Sequence, residues 1–298
     1  MMNISGFHVE PTNICTLKCP GCPRTQFINK WPQHWHNHSI DIDQLLKFLD
    51  IDLTTKKIYM CGNYGDPIYH PAFINFVYKF KQRGAHVDII TNGSYKKSDW
   101  WAELTSVLDI NDSITFSVDG TPDNFTQYRI NGDWNSIHEA MTICAKSSCR
   151  TLWKYIPFSY NQDTIDEAKL ISKNIGIDYF FIAPSDRYDN ITMDFKPHES
   201  FIGKRYHSQQ QWQNSTVVTK VNPSCSNGKM NFISAEGYYN PCCYLADHRF
   251  YYKTQFGKNK KQYNIKDHTL TEILSQPKTI EFFQTLDQNS CCQFNCPA

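Results

Sequence analysis

Cys15, Cys19 and Cys22 stand in the run Cys15-Thr16-Leu17-Lys18-Cys19-Pro20-Gly21-Cys22, a C-x3-C-x2-C spacing. Three thiolates on one short loop can hold three irons of a cubane [4Fe–4S] cluster. No fourth cysteine lies nearby, so one iron would stay open to an exogenous chelate, which makes such a centre catalytic rather than purely electron-carrying. Zinc is the competing metal and would want a fourth Cys or His close by; His34, His36 and His38 could offer one. The spacing disfavours zinc, for which paired C-x2-C motifs are common. The chain has twelve cysteines, and six lie after residue 220: Cys225, Cys242, Cys243, Cys291, Cys292 and Cys296. Only Cys61, Cys144 and Cys149 fall between the groups and read as core or near-surface thiols. Two clusters imply two sites.

The elements that position these residues alternate. β-rich runs at Phe7–Pro11, Lys57–Cys61, His86–Thr91, Ser113–Val118, Leu152–Phe158 and Asp178–Ala183 are separated by helical stretches. The helical stretches are Ile42–Leu49, Ala72–Arg83, Asp99–Leu108, Ile137–Ser147 and Thr164–Asn174, with apolar recurrence such as Phe73, Phe76, Val77 and Phe80. Ser98, Ser136 and Asp163 are suited to cap helix starts, and Gly84 and Gly176 to end them. Such alternation predicts an α/β fold of parallel strands with right-handed crossovers, in an open sheet or a partial barrel. Chemistry in such folds is carried by loops at the strand C-termini. Residues 186–220 are polar with little periodicity and read as a linker or surface excursion. Residues 221–298 hold a hairpin-like stretch around Glu236-Gly237 and one or two helices between Leu270 and Leu286. That piece is small for a core of its own, and a metal centre would explain its cohesion.

Composition narrows the function classes. Thirty basic against twenty-nine acidic side chains give a formal charge of +1, which removes the long-range attraction on which nucleic-acid and anionic-membrane binders rely. No apolar run reaches the ~18 residues that span a bilayer, and the first residues lack the basic and apolar regions of a secretory signal. The expectation is a cytoplasmic protein with no nucleic-acid or membrane partner, whose cysteines serve metal or redox chemistry rather than disulfides.

The first cluster resembles the signature of the radical S-adenosylmethionine (radical SAM) enzymes, C-x3-C-x2-C after the first strand of a partial (β/α)6 TIM-like barrel. Further segments resemble the family in order. Tyr64-Gly65-Asp66-Pro67 takes the place of its Gly-Gly-Glu-Pro segment, Thr91-Asn92-Gly93 follows the third strand, and Ser117 ends the fourth. Arg129 is placed where many relatives pair an arginine with the methionyl carboxylate, and Lys154 on the fifth strand is a weaker contact. The resemblance implies that Tyr64, Gly65, Asp66, Thr91, Ser117, Arg129 and Lys154 bind S-adenosylmethionine. One departure stands out: Gly21 precedes the third cysteine, where the family often has an aromatic residue against the adenine, so a neighbouring group would have to take that role.

The tail resembles the SPASM auxiliary-cluster domain, in Cys225 and in the segment Asn231 to Cys243. It lacks the full C-x2-C-x5-C-x3-C run, so the shortened twitch form fits better. The resemblance implies a small C-terminal α+β domain with one auxiliary [4Fe–4S] cluster on Cys225, Cys242, Cys292 and Cys296, with Cys291 a near-even competitor of Cys292. The implied function is reductive cleavage of S-adenosylmethionine to a 5′-deoxyadenosyl radical, which takes a hydrogen atom from a small-molecule or peptide substrate. A flavodoxin- or ferredoxin-type donor would supply electrons. The competing class is a non-enzymatic iron–sulfur or zinc-binding carrier. The expected organisation is a barrel over 1–185, a linker over 186–220 and the auxiliary domain over 221–298. The loop Trp31–His38 is expected to cover the cluster or contact substrate.

Overall fold

The computed structural model describes residues 4–185, 188, 191–203 and 220–296. Six strands, β1 (Gly6–Val9), β2 (Lys57–Met60), β3 (His86–Thr91), β4 (Ser113–Ser117), β5 (Arg150–Tyr155) and β6 (Tyr179–Ile182), pair in parallel and in sequence order. These are the parallel strands that the alternation predicts, arranged as the partial (β/α)6 barrel that the resemblance implies. β1 and β4 are buried along their whole length, as parallel strands covered on both faces must be.

Helices α1 (Pro23–Lys30), α2 (Ile42–Phe48), α3 (Phe73–Gln82), α4 (Ser98–Ser106), α5 (Trp134–Cys144) and α6 (Ile165–Ile175) lie in the crossovers. Phe73, Phe76, Val77 and Phe80 form the buried stripe of α3. Gly84 and Gly176 both have positive φ after α3 and α6, as read from the sequence. The helix starts differ from expectation. α4 begins at Ser98 itself behind Lys97. α5 begins three residues early because Asp133, not Ser136, accepts the Asn135 N–H; the Ser136 hydroxyl instead accepts the Tyr95 N–H. Asp163 lies in a 3-10 turn, and Thr164 precedes α6 with no side-chain cap. Helix α1 was not anticipated from the sequence: its Phe27 and Ile28 are adjacent rather than spaced by three or four, and the informative signal was Pro23 at its first turn.

The tail does not stand apart from the barrel. β7 (Asn231–Ile233) pairs in parallel with β1, and β8 (Tyr239–Asn240) pairs antiparallel with β7, giving the order β6-β5-β4-β3-β2-β1-β7-β8. Short helices α7 (His248–Tyr251), α8 (Gln255–Lys258), α9 (Leu270–Ser275), α10 (Pro277–Gln284) and α11 (Ser290–Asn295) follow. Ile233, Tyr239, Leu245, Phe256, Tyr263, Leu270, Ile273 and Phe282 join the barrel side chains in one continuous apolar core. The piece has no separate core, as its size led one to expect, and draws its cohesion from a core shared with the barrel.

The polar stretch docks in part on the barrel. Tyr188 and Ile202 pack on Phe158, with Phe195 and Tyr128 against them, because a few large apolar residues without periodicity still suffice to dock a loop. Residues 204–219 of that stretch lie outside the described residues. Among the described residues, no helix is long and apolar enough to cross a membrane.

Candidate active site and auxiliary cysteine centre

The loop after β1 carries Cys15 and Cys19 and delivers Cys22 to the N-terminus of α1, where it is the capping residue. The Cys22 N–H donates to the Cys19 carbonyl, and the Asn92 amide points at the Cys15 sulfur at 3.7 Å. All three cysteines line one cavity of about 400 Å3 with Tyr64, Gly65, Asp66, Thr91, Ser117, Arg129 and Lys154. Every residue that the resemblance implied for S-adenosylmethionine thus faces the same space as the three thiols. Burial pushes the Cys19 thiol up to about 11 and raises Cys15 further, so a positive centre is needed before these sulfurs ionise together.

The geometry also shows what else these residues do. Both Asp66 oxygens are occupied: Oδ1 accepts from Thr91 Oγ1 (2.8 Å) and the Ile68 N–H, and Oδ2 accepts from the backbone and side-chain nitrogens of Asn92 (2.6 Å each). Asp66 therefore ties the end of β2 to the end of β3, and burial lifts its pKa to about 6. Gly65 is needed for a further reason, since a Cβ there would lie 1.9 Å from the Thr12 carbonyl oxygen. Arg129 is held by fully buried Asp119, with Nε and a terminal nitrogen 2.7 and 2.6 Å from Oδ2. Ser117 Oγ is buried with no hydrogen-bond partner, an unpaired polar group in the cavity wall of the kind a bound ligand would satisfy.

The space left by Gly21 is filled. A Cβ built on Gly21 would meet the Tyr128 hydroxyl at 2.5 Å. The Tyr128 ring stacks on Phe158 with centroids 4.2 Å apart, and both rings line the cavity.

Several contributors were missed at the level of sequence. Cys61 lines the same cavity rather than the core. Glu10, two residues past His8 on the inner face of β1, accepts the Tyr64 and Gly65 N–H groups at 2.7 and 3.2 Å. The spacing His8-Val9-Glu10, polar residues flanking a buried valine, was the available signal. The Trp31–His38 loop lines a neighbouring cavity with Tyr64, not the cysteine cavity.

The tail cysteines come together from three segments. Cys225, Cys242, Cys291, Cys292 and Cys296 line a cavity of about 110 Å3, and Cys243 does not. The Cys242 thiol is raised first by its hydrogen bond with Cys225 and then by burial; burial pushes Cys292 up to about 12. Among the described residues, no three His, Cys, Asp or Glu side chains gather tightly enough to hold one metal ion. Five thiols around one cavity are donors enough for a cubane, whose thiolates bind separate irons. The donor sets therefore fit iron–sulfur clusters at both places.

A cavity that joins three loop thiols to polar groups from four successive strand ends defines a class, cluster-bearing α/β enzymes with an exogenous ligand. Residues 9–186 match the radical SAM superfamily, and the chain belongs to it. Residues 225–297 match the SPASM iron–sulfur cluster-binding domain. The enzyme accordingly uses a catalytic [4Fe–4S] cluster, S-adenosylmethionine and an auxiliary iron–sulfur centre, which sets aside the non-enzymatic carrier. A stretch of 119 residues is 32% identical to the tungsten-containing aldehyde ferredoxin oxidoreductase cofactor-modifying protein of Pyrococcus furiosus; the match covers 39% of this chain and 31% of that relative. The fold is shared with anSMEcpe bound to AdoMet and the Kp18Cys peptide (TM-score 0.62, 13% identity, 95% of this chain and 83% of that one). It is shared also with Streptococcus suis SuiB bound to S-adenosylmethionine (TM-score 0.63, 12% identity, 98% and 72%).

Proposed function

We propose that Cys15, Cys19 and Cys22 hold the catalytic cluster and that the residues sharing their cavity bind S-adenosylmethionine beside its open iron. The observation that carries this reading is the single cavity of about 400 Å3 on which all these groups open. When bound, the reduced cluster and S-adenosylmethionine supply a 5′-deoxyadenosyl radical that takes a hydrogen atom from the substrate. The protein's part is placement. Asp119 fixes the Arg129 guanidinium, whose remaining N–H donors suit a carboxylate. Ser117 Oγ gains its missing partner, Lys154 adds a cation at the end of β5, and the Tyr64-Gly65 backbone, anchored by Glu10, presents the polar wall opposite. Tyr128 and Phe158 offer the aromatic face that Gly21 lacks.

Cys225, Cys242, Cys292 and Cys296 are assigned to one auxiliary [4Fe–4S] cluster, with Cys291 the alternative to Cys292. The chain divides into a barrel (1–185), a linker (186–220) and a twitch-type domain (221–298). A flavodoxin- or ferredoxin-type protein serves as donor, and the balanced charge supports a cytoplasmic enzyme with neither nucleic-acid nor membrane partner. The substrate is a peptide or a small molecule. Fold relatives of both kinds occur, since BtrN in complex with AdoMet and 2-DOIA shares the fold too (TM-score 0.50, 15% identity, 99% of this chain and 94% of that one).

Anaerobic reconstitution tests the assignment. The parent should bind about eight irons and form 5′-deoxyadenosine under dithionite, and Cys19→Ala should form none. Cleavage retained in Cys19→Ala with unchanged iron would overturn the reading.

A further inference from the structure

Beside the cysteine cavity lies a second one of about 110 Å3, between the 34–38 loop, the end of β1 and the tail hairpin. Tyr64 lines both. The strand register explains its wall. His8 is opposite Phe232, and Phe232 opposite Asn240, so these side chains and Glu10 share one face of the sheet. Tyr239 points the other way, packing on Phe48 and donating its hydroxyl to Asn231. Asn240 is 1% exposed, and neither its amide nitrogen nor its amide oxygen has a hydrogen-bond partner. The Tyr251 hydroxyl in the same wall is also buried and unpaired. Leaving such buried groups unmatched destabilises the wall, and an occupant with its own donor and acceptor would offset that.

Charge and shape narrow that occupant. The wall carries the Glu10 and Glu236 carboxylates and, among the described lining residues, no lysine or arginine. Trp35 and Tyr64 add ring faces, 5.9 Å apart by centroid. Carboxylates set among aromatic rings recognise a cation, and a primary amide recognises another amide through one donor and one acceptor.

We propose that this cavity anchors the substrate through a protonated primary amine lying beside an amide group, the amine between Glu236 and the aromatic rings and the amide on Asn240. The proposal rests on the reading of the neighbouring cavity as the S-adenosylmethionine site, toward which Tyr64 would direct the rest of the substrate. Glu10, held by backbone N–H groups but raised to about 7 by burial, would gain a compensating cation.

Binding is measured on the reconstituted enzyme at pH 8, above the ordinary range of imidazole, by tryptophan fluorescence. The probes are Nα-acetyl-lysinamide and its neutral counterpart Nα-acetyl-norleucinamide. The lysine probe should bind at least tenfold more tightly, and Glu236→Gln should erase most of that preference. Asn240→Leu should weaken the lysine probe at least fivefold without lowering the thermal midpoint, because an unpaired amide contributes nothing to the fold. Equal affinity of the two probes, no binding of either, or parent-like affinity in both variants would overturn the proposal. Formation of 5′-deoxyadenosine by the parent without substrate is scored separately, so failure of the S-adenosylmethionine reading is distinguishable from failure of this one.

Discussion

The N-terminal cysteines lie along one loop and face about 400 Å3 of shared space, whereas the tail cysteines come from three segments and line about 110 Å3. The first centre offers three loop donors next to the unpartnered Ser117 hydroxyl and other polar side chains; the second gathers five sulfurs against Pro223, Met230 and Tyr244. An incomplete donor set beside polar space admits an exogenous ligand, and a surplus of thiols in an apolar wall excludes one. The contrast supports the proposed division, with bond cleavage at the first centre and substrate-coupled electron traffic or cohesion at the second.

The largest effect expected from breaking this comparison is a reciprocal loss. Cys19→Ala and Cys242→Ala should each lose about four irons, yet only Cys19→Ala should lose 5′-deoxyadenosine formation. Cys242→Ala should lose turnover of the true substrate. Because β7 pairs with β1 and Ile233, Tyr239, Leu270 and Phe282 belong to the common core, limited proteolysis of Cys242→Ala should cut only near α11. Digestion back through residue 231 would show that the cluster, not the sheet, holds the tail.

Arg129 shows what the sequence could and could not reveal. Its place in the cavity was legible from the order of motifs along the strands. Its grip on Asp119 was not, because that bond closes a ten-residue turn and depends on how the loop after β4 folds over the Ile156 N–H, which donates to the other Asp119 oxygen. The six strands were legible because runs such as Ile114-Thr115-Phe116 are made of β-branched and aromatic residues. Helix α1 escaped because adjacent Phe27 and Ile28 do not repeat at helical spacing and so make no stripe, and the tail's membership in the sheet escaped because pairing between residues about 225 apart leaves no local trace. Asn240 escaped for a related reason: an orphaned amide is defined by the partners that are missing around it.

The second-largest effect follows from that ion pair. Arg129→Ala should leave the Asp119 carboxylate buried without its cation, at a cost of about 3 kcal/mol, so the variant should unfold at lower denaturant as well as bind S-adenosylmethionine poorly. Replacing both residues, Arg129→Leu with Asp119→Leu, should recover much of the stability and none of the binding. A stable Arg129→Ala protein would show that the pair contributes little to the fold. Smaller still is the expected exchange at Gly21. Tyr128→Ala should weaken S-adenosylmethionine binding about tenfold, roughly the 1.4 kcal/mol of one lost aromatic contact. Gly21→Tyr alone should clash with Tyr128, and Gly21→Tyr with Tyr128→Ala should restore affinity in equilibrium dialysis. Unchanged binding in Tyr128→Ala would remove the ring from the site.

The last effect sharpens the boundary between the two cavities at Glu10. Burial lifts its pKa from 4.5 to about 7 against the pull of the Tyr64, Gly65 and Ala235 N–H groups. A carboxyl raised on folding binds a proton more tightly in the native state than in the unfolded one. Its contribution is therefore fully present below about pH 4.5 and is lost as pH rises through about 7. His8 opposes this trend: burial lowers its pKa from 6.5 to about 4, so its contribution is present above 6.5 and lost on acidification toward 4. Asp66, raised to about 6, acts in the same direction as Glu10. Because these groups overlap, the informative quantity is the stability of the parent minus that of Glu10→Gln, in which His8 and Asp66 cancel. From pH 7.5 down to 5 that difference should move in favour of the parent, by at most about 1.4 kcal/mol per pH unit. Thermal midpoints measured anaerobically across that range provide the check. A flat difference would mean that the backbone donors alone hold Glu10 ionised, and that it needs no cation beside it.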